Sequence, residues 1–295
     1  MMDLHVHTLH SDGACSVEEV LREAQRKNLA YLAICDHDTM DAWRDLADPK
    51  IRNLFSGKIL PACELTFSYQ GMCMDMLAYG VDEQVLEDAG LLKHRLQDEV
   101  IARETKRLRQ MCAVCDVLHL HYPSVSIKAG YERANDVICD ALLSDERNKA
   151  ILEKLGIENR TTFYRNHYLN PCSPFYIKEE FDAPPLAVCM RAVKAAGGLC
   201  FLAHPFVYDV EDHEKLLHDL FLTGGWDGIE CIHRRHSRAQ SEWLSAYCKA
   251  HGLYQSGGSD YHLPKHKMGC GDNGNMEIME DIAASWLACM DGKWR

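Results

Sequence analysis

Two histidines near the start of the chain have the spacing of a metal-binding pair. His5 and His7 are separated by one residue, and Asp12 follows in the segment HSDG. Residues i and i+2 of a β-strand point to the same face, so both imidazoles can reach one ion. Imidazole nitrogen and carboxylate oxygen suit zinc, manganese or iron. Such a pair is weak evidence alone, because histidines also occur on surfaces and in hydrogen-bonded cores.

Further carboxylates and imidazoles follow short apolar segments along the chain. They are Asp36-His37-Asp38, Glu64, His204-Pro205 and Asp260-x-His262. Carboxylates gathered in one place repel each other unless cations lie between them. We therefore predict that these side chains meet around divalent metal ions.

The apolar segments that precede these groups have the length and the Gly or Pro borders of β-strands. They cover residues 29–35, 58–63, 198–203, 228–232 and 253–256. Amphipathic helix candidates lie between them, and one begins at Ser16 with the S-x-x-E capping pattern. Alternating strands and helices, with functional groups at the strand ends, predict a parallel α/β barrel whose active site lies at the carboxyl ends of the strands.

The middle of the chain interrupts this alternation. Residues 84–181 are charged and helix-prone, with few strand signals. We predict that they form a helical insertion covering the active site, between a first part of the barrel at 1–83 and a second part at 182–295.

The composition restricts the partners of the protein. Its 295 residues are 47% hydrophobic and 26% charged, as in a globular protein with a real core. No apolar run approaches the length that crosses a bilayer, and no secretory signal is visible, so we expect a cytoplasmic protein without a membrane partner. The formal net charge of −12 disfavours non-specific binding to nucleic acid.

Taken together, the motifs resemble those of the PHP (polymerase and histidinol phosphatase) phosphoesterases. The matching segments, in the family order, are DLHVHTLHSDG, AICDHDT, CELTF, LAHP and GSDYH. The resemblance implies a distorted TIM-like (β/α)7 barrel, a PHP domain with about seven strands. It also implies two or three divalent ions, of manganese, zinc or iron, and hydrolysis of phosphate esters.

The resemblance implies a ligand set drawn from all of these motifs. Its members are His5, His7, Asp12, His37, Glu64, Asp75, His204, Asp260 and His262. One ion is expected on the H-x-H pair with Glu64 and Asp260. A second is expected on Asp12 and His37, with Glu64 shared between the two.

The third metal site of the family is usually made of three histidines. His204 and His262 match two of them, and Asp75 stands where relatives commonly have the third. Aspartate also binds manganese and zinc, so we expect an altered third site. The four carboxylates of the set carry about −4 and three divalent ions about +6, an excess that suits a phosphate dianion.

In two-metal chemistry of this kind, a hydroxide that bridges the ions attacks phosphorus. The candidates for protonating the leaving group are His204, His262 and Asp38. The candidates for contacting the substrate are Arg103, Arg133 and His236. Glu230 and His233 are expected to contact the metal-binding side chains or the substrate rather than a metal ion, because the metal-ligand positions are already occupied by other residues.

The expected substrate is a small phosphate ester. A cyclic phosphodiester such as 5-phosphoribosyl 1,2-cyclic phosphate is the first candidate, followed by a nucleotide or sugar phosphate. A metal-dependent amidohydrolase or deaminase also opens with H-x-H, but normally carries a barrel-strand lysine and a different histidine order. A PHP-type nuclease is disfavoured by the acidic charge. A non-catalytic metal-binding module would explain the ligands but not an insertion over the barrel mouth.

Overall fold

The computed structural model describes residues 1–94, 97–177, 183–290 and 292–294. The chain divides into two compact units, one made of residues 1–94 and 182–295 and the other of residues 95–181. All the strands of the described residues lie in the first unit.

The predicted ligands lie on strands or in the loops that follow them. Their bounds are β1 Met2–Val6, β2 Tyr31–Ile34, β3 Lys58–Leu60, β4 Ala62–Tyr69, β5 Met72–Tyr79, β6 Leu199–Leu202, β7 Gly228–His233, β8 Tyr254–Gly258, β9 Cys270–Gly271 and β10 Met276–Glu277. The five apolar segments recognised in the sequence therefore contain β2, β3 and the start of β4, β6, most of β7 and part of β8.

Helices connect the strands of the first unit and make up the regular structure of the second. In the first unit they are α1 Val17–Arg26, α2 Ala42–Asp45, α3 Pro49–Arg52, α4 Glu83–Asp88, α9 Leu186–Ala195, α10 His213–Leu222, α11 Arg238–His251 and α12 Ala284–Leu287, with 3₁₀ turns at Pro205–Val207, Asp272–Gly274, Glu280–Ile282 and Ala288–Met290. In the second unit they are α5 Gln97–Val117, α6 Ala134–Leu143, α7 Lys149–Leu155 and α8 Arg160–Phe163, with a 3₁₀ turn at Glu146–Asn148 and a π-helical turn at Tyr164–Tyr168.

The main-chain hydrogen bonds form two larger sheets and one small one. The strand orders are β1-β2-β3, β4-β5-β6-β7-β8 and β9-β10. Isolated parallel bridges join Val6 to Tyr261 and His37 to Glu64, so the two larger sheets meet beside β1 and β8 and beside β2 and β4. The sheets and helices form an α/β fold, and closure into a TIM-like barrel stays a prediction.

The expectation of parallel strands throughout is wrong for β5. This strand is antiparallel to both β4 and β6, and Asp75 lies opposite Thr66 of β4. A two-residue connection through Gln70 and Gly71, both with positive φ, makes a tight hairpin turn. Parallel neighbours need a crossover of about a dozen residues or more, which this turn does not provide.

Alternation along β1 separates a core face from a polar face. Met2 and Leu4 belong to an apolar cluster that also contains Leu77 of β5 and Phe201 of β6. Asp3 and His5 point the other way and are buried as well. The strand thus contributes to the core while it carries polar side chains into the interior.

Local sequence signals account for the helix that follows β1. Ser16 caps α1, because its hydroxyl accepts from the backbone N–H of Glu19 and the Glu19 side chain accepts from the Ser16 N–H at 2.8 Å. This capping box confirms the helix start predicted from the sequence.

The second unit has its own apolar core, which includes Leu108, Ile138, Phe163 and Phe175. It contains no strand among residues 97–177. The function of this segment as a cover for the active site stays a prediction. No helix of the described residues combines the length and the apolar character needed to cross a bilayer.

Candidate metal centre

Four imidazoles from different elements converge on the carboxylate of Glu64. Its Oε2 lies 3.1 Å from Nε2 of His5, 3.3 Å from Nε2 of His7 and 3.4 Å from Nε2 of His37. Its Oε1 lies 2.8 Å from Nε2 of His204. The side chain is almost completely buried, so this carboxylate can contact neighbouring cations through both oxygens.

Asp260 closes the other side of the cluster. Its Oδ1 lies 3.3 Å from Nε2 of His7 and 3.7 Å from Nε2 of His5. Its Oδ2 lies 3.3 Å from Nε2 of His233 and 3.1 Å from Nη2 of Arg234. One carboxylate therefore faces the H-x-H pair with one oxygen and the end of β7 with the other.

Asp12 lies on the side of the cluster beyond His7. Its Oδ1 is 3.0 Å from Nε2 of His262 and 3.6 Å from Nδ1 of His7. Its Oδ2 is 3.9 Å from Nε2 of His37. The rings of His7 and His262 stack with centroids 4.1 Å apart, so the loop after β8 and the loop after β1 share this corner.

The structure brings all nine predicted ligands into four overlapping groups. In each group the ligand atoms lie within 4.8 Å of one another; the groups are His7 with Asp12, His37 and His262; His5 with His7 and Asp260; His5 with Glu64 and His204; and His37 with Glu64 and Asp75. No group in the described part of the chain combines Asp75, His204 and His262, the three residues expected to form the third site. The assignment of side chains to individual ions stays a prediction.

The chemistry of the cluster fits divalent cations. Burial disfavours a charged His7, but the neighbouring carboxylates of Asp260 and Glu64 raise the pKa of its imidazole to about 10. Burial likewise opposes ionised Glu64, but the charges of His37 and His5 hold its pKa well below the usual range. A divalent ion supplies the same positive charge when the imidazoles give up their protons.

A buried nitrogen gives a second indication of a metal ligand. Nε2 of His7 faces oxygens of Glu64 and Asp260 at 3.3 Å, yet it forms no hydrogen bond among the described residues. Buried polar atoms without a hydrogen bond are rare and need an explanation. An imidazole nitrogen between carboxylate oxygens is a donor set that suits manganese, zinc or iron.

Glu230 of β7 orients two of these histidines. Its Oε1 lies 2.9 Å from Nδ1 of His5, and its Oε2 accepts a 2.9 Å hydrogen bond from the backbone N–H of His204. Its side chain is fully buried. Hydrogen bonding at one ring nitrogen fixes the ring and leaves the other nitrogen to bind a metal.

The backbone is in a left-handed conformation at three strand ends of the cluster. Asp38 has φ 52°, His204 has φ 29° and Asp260 has φ 49°. Each such residue other than glycine costs about 1–3 kcal/mol, and these conformations tend to occur at functional sites. Of the three, His204 and Asp260 belong to the ligand groups, and Asp38 lies beside them.

Two glycines allow the close approach of neighbouring segments. A Cβ on Gly258 would lie 2.1 Å from Cβ of His5, and a Cβ on Gly13 would lie 2.5 Å from the carbonyl oxygen of His7. The backbones of β8 and of the loop before α1 can therefore pack directly against the H-x-H segment.

Asp36 and Asp3 are carboxylates that hold the backbone of the site. Asp36 accepts hydrogen bonds from Thr8 N–H at 2.7 Å, from the Thr8 hydroxyl at 2.6 Å and from the Ser11 hydroxyl at 2.5 Å, and so shapes the loop that carries Asp12. Asp3 accepts from Ser259 N–H at 2.9 Å and from its hydroxyl at 2.5 Å, which ties β1 to the end of β8. Asp36 is part of the sequence motif Asp36-His37-Asp38 but not of the predicted ligand set, and it belongs to none of the four groups.

Asp38, a predicted proton donor, lies beside the groups rather than in one of them. Its Oδ1 accepts from Thr66 N–H at 2.9 Å, and its Oδ2 lies 3.1 Å from Nζ of Lys93. The other two predicted proton donors, His204 and His262, each contact a carboxylate of the cluster.

The predicted substrate contacts lie in both units. His236 follows β7 and is buried, with Nδ1 3.3 Å from the carbonyl oxygen of Cys231. In the second unit, Arg103 lies on α5, half exposed, and pairs with Glu104, while Arg133 precedes α6 as its N-cap. Their function in substrate binding stays a prediction.

Arg234 was missed in the sequence, although it lies next to the cluster. The segment HRRH after β7 could have indicated it, because a cation after a strand end can reach the same face as the ligands. Single arginines are common on surfaces, and only the contact with Asp260 distinguishes this one.

Curated proteins with similar sequences include phosphatases, phosphodiesterases and exoribonucleases. A 5'-3' exoribonuclease of Haemophilus influenzae is 25% identical over 96% of this chain and 97% of its own length. A 3',5'-nucleoside bisphosphate phosphatase of Chromobacterium violaceum is 28% identical over 89% of this chain and 87% of its own. A phosphoribosyl 1,2-cyclic phosphate 1,2-diphosphodiesterase of Eggerthella lenta is 28% identical over 88% and 93%.

Solved structures share the fold. A Chromobacterium violaceum protein named as an amidohydrolase, solved with bound sulfate and no metal, is 24% identical with a TM-score of 0.69 and covers 100% of this chain and 97% of its own. A protein of Bifidobacterium adolescentis named as a metal-dependent phosphoesterase is also 24% identical, with a TM-score of 0.63 and coverage of 98% and 96%.

The family model of the PHP domain matches residues 3–153, just over half of the 295-residue chain. Nine residues make up the four groups, and six of them, from His5 to Asp75, lie in the matched part. By this match the chain belongs to the PHP domain family.

Proposed function

We propose that this protein is a hydrolase of phosphoester bonds that acts on a small-molecule phosphate ester with the help of two or three divalent metal ions. The convergence of four imidazoles on both oxygens of the buried Glu64 carries the proposal. Two relatives named as a phosphatase and as a diphosphodiesterase support the same reaction class.

The candidate substrates combine the expectation from the sequence with the names of these relatives. A cyclic phosphodiester such as 5-phosphoribosyl 1,2-cyclic phosphate is the first candidate, because a diphosphodiesterase of that class matches 88% of the chain. A nucleoside bisphosphate is the second, on similar grounds. A sugar phosphate is the third.

The ligands divide into a buried part and a more exposed part. His5, His7 and Glu64 are buried, whereas Asp12 and His262 each keep 14% of their side-chain surface exposed. Divalent ions held by this set would lower the pKa of water and stabilise negative charge on phosphoryl oxygens. Glu64, through its two oxygens, would keep neighbouring ions at a short distance.

The leaving alkoxide needs a proton, and two histidines are placed better than Asp38 to supply it. Asp38 already accepts from Thr66 N–H and pairs with Lys93. His204 and His262 keep 10% and 14% of their side-chain surfaces exposed. His204 contacts Glu64, and His262 contacts Asp12 and Asp260. Either imidazole could pass a proton to an oxygen bound beside it.

The test is hydrolysis by the manganese-loaded protein of p-nitrophenyl phosphate, bis-p-nitrophenyl phosphate, 5-phosphoribosyl 1,2-cyclic phosphate and a nucleoside bisphosphate, with amide substrates in parallel. We expect turnover of at least one phosphate ester, loss of it with a chelator and recovery with added manganese. Amide turnover without hydrolysis of any phosphate ester would overturn the proposal and favour an amidohydrolase. Metal binding without turnover on either panel would favour a non-catalytic binding module.

A matched pair of variants tests whether a loss of activity is specific to the candidate site. Glu64→Gln removes the central charge, and we expect it to lower kcat/KM about 100-fold or more. Glu242→Gln changes an exposed residue on α11 in the same chemical way and should leave kcat/KM unchanged.

A second candidate function is an exonuclease that removes nucleotides from the end of RNA. A relative named as a 5'-3' exoribonuclease matches 96% of this chain and 97% of its own length. The acidic charge of −12 argues for a small substrate, because a polymer would have to approach against it. A kcat/KM for a short 5'-phosphorylated RNA far above that for mononucleotides would favour the exonuclease.

A further inference from the structure

Arg234 lies at the rim of the cluster, in a turn whose backbone is fixed on both sides. It follows β7 directly, and the N–H of His236 donates to the carbonyl oxygen of His233 at 3.0 Å across the turn. The carbonyl oxygen of Arg234 itself accepts a 2.7 Å hydrogen bond from the N–H of Asn273. The start of the side chain is therefore held in place relative to β7.

The guanidinium contacts the cluster through one oxygen. Nη2 lies 3.1 Å and Nε lies 3.3 Å from Oδ2 of Asp260. Charge-assisted hydrogen bonds are usually about 2.7–2.9 Å long, so this contact is a loose one. A guanidinium has five N–H donors, and two of them account for this contact.

The Arg234 side chain is more exposed than the residues it lies beside. The Arg234 side chain keeps 28% of its surface exposed, while Asp260 keeps 13% and His233 none. Arg234 pairs with Asp260, a carboxylate of the four metal-ligand groups. An anion bound to the cluster beside Asp260 would lie next to this guanidinium.

The charge count of the cluster favours such a cation. Glu230 is buried, contacts two histidines of the cluster and adds a fifth carboxylate to the four of the ligand set. Its charge cancels half of the formal excess of about +2 that three divalent ions would leave, and it makes the cluster net negative with two ions. The guanidinium of Arg234 adds one positive charge beside Asp260.

We propose that Arg234 binds a phosphate oxygen of the substrate, next to the metal ions, through the N–H donors that do not face Asp260. This inference rests on the proposed function, because it names the residue that recognises the anionic group of that substrate. Arginine suits this task, since its planar fork of donors matches two oxygens of one phosphate.

A purely structural function is the competing explanation: Arg234 would only hold Asp260 in place for the metal. The two explanations differ in what the metal-saturated protein does. A structural residue affects metal affinity, and its loss is compensated by excess metal. A phosphate-binding residue affects phosphate affinity even when every metal site is filled.

The test is calorimetric titration of inorganic phosphate into the manganese-saturated full-length protein, with metal content measured in parallel. Arg234→Ala and Arg234→Gln are compared with wild type and with Arg22→Ala, a control on α1 whose guanidinium pairs with Glu18 at 2.6 Å on the surface. We expect both Arg234 variants to bind phosphate about 10- to 100-fold more weakly at full metal content. Arg22→Ala should bind phosphate as wild type does.

Arg234→Gln decides the matter if the alanine variant does not fold, because glutamine can still donate to Asp260 but carries no charge. Phosphate affinity equal to wild type in metal-saturated Arg234→Gln would overturn the inference, as would wild-type protein that binds no phosphate. Phosphate binding that depends on Arg234, in a protein that hydrolyses no phosphate ester, would support this inference while the proposed function fails. Hydrolysis of a phosphate ester together with unchanged phosphate affinity in the Arg234 variants would support the proposed function and overturn this inference.

Discussion

The carboxylate of Glu230 lies 2.9 Å from Nδ1 of His5, and both side chains are fully buried. The other nitrogen of the same ring, Nε2, lies 3.1 Å from Glu64. A hydrogen bond that Nδ1 donates to Glu230 leaves Nε2 unprotonated in the neutral ring and available to a metal ion. Glu230 therefore belongs to the metal centre although it is in none of its ligand groups.

Glu230→Gln should weaken metal binding by about 10- to 100-fold, because the amide orients His5 less strongly and makes its ring less basic. The measurement is competition for manganese with a chromophoric chelator. Glu242→Gln on α11 is the control, since it makes the same change on the surface. Manganese affinity equal to wild type in Glu230→Gln would show that the contact does not support the ligand.

Asp75→Ala should lower turnover about 10-fold or more while the metal ions at His5 and His7 stay bound. Asp75 lies on β5 and forms a group with His37 and Glu64. None of the four groups places Asp75 together with His5 or His7. Metal content and kcat are measured on the same preparation.

Thr66→Val is the matched control for Asp75, because it removes only the hydrogen bond of 2.9 Å that the Thr66 hydroxyl donates to that carboxylate. We expect a smaller loss of turnover than in Asp75→Ala. Loss of all metal in Asp75→Ala would contradict the division of the cluster into separable sites.

Gly258→Ala should displace β8 from β1 and lower both stability and metal content. Its Cβ would lie 2.1 Å from Cβ of His5 and 2.6 Å from the backbone nitrogen of the same residue, where neither strand can yield easily. We expect a loss of about 1–3 kcal/mol in the free energy of unfolding, measured by urea denaturation. Gly156→Ala is the control, because no atom lies within 4 Å of its added Cβ and only the left-handed backbone, at φ 70°, is strained. Equal losses in the two variants would show that the close contact with His5 is unimportant.

Removal of metal should lower the melting temperature, because divalent ions bind the ligand cluster of the folded state and not the unfolded chain, so their loss removes that stabilisation. Manganese at about 100 times its Kd should raise the Tm of the chelator-treated protein by about 5 °C or more. Differential scanning calorimetry with and without manganese measures the shift. Glu64→Gln should show a clearly smaller one, and a shift as large as in wild type would argue against Glu64 as a shared ligand.

The residue types at the ends of the strands could be recognised from the sequence alone. The H-x-H spacing, the carboxylates after apolar segments and the Gly and Pro borders are local features, and a strand places alternate residues on one face whatever its neighbours do. These local features singled out eight of the nine predicted ligands, whereas Asp75 was named only through the resemblance to the PHP family. The structure places each of the nine in at least one group.

The tertiary structure alone decided which side chains meet. His262 lies with Asp12 and His37, and His204 lies with His5 and Glu64, because the loops after β8 and β6 enter the cluster from different sides. The antiparallel direction of β5 follows from a two-residue turn between two apolar segments. The contact of Arg234 with Asp260 joins two loops 26 residues apart in the chain. Such relationships depend on how the strands pack against each other, and no local pattern of residues records that packing.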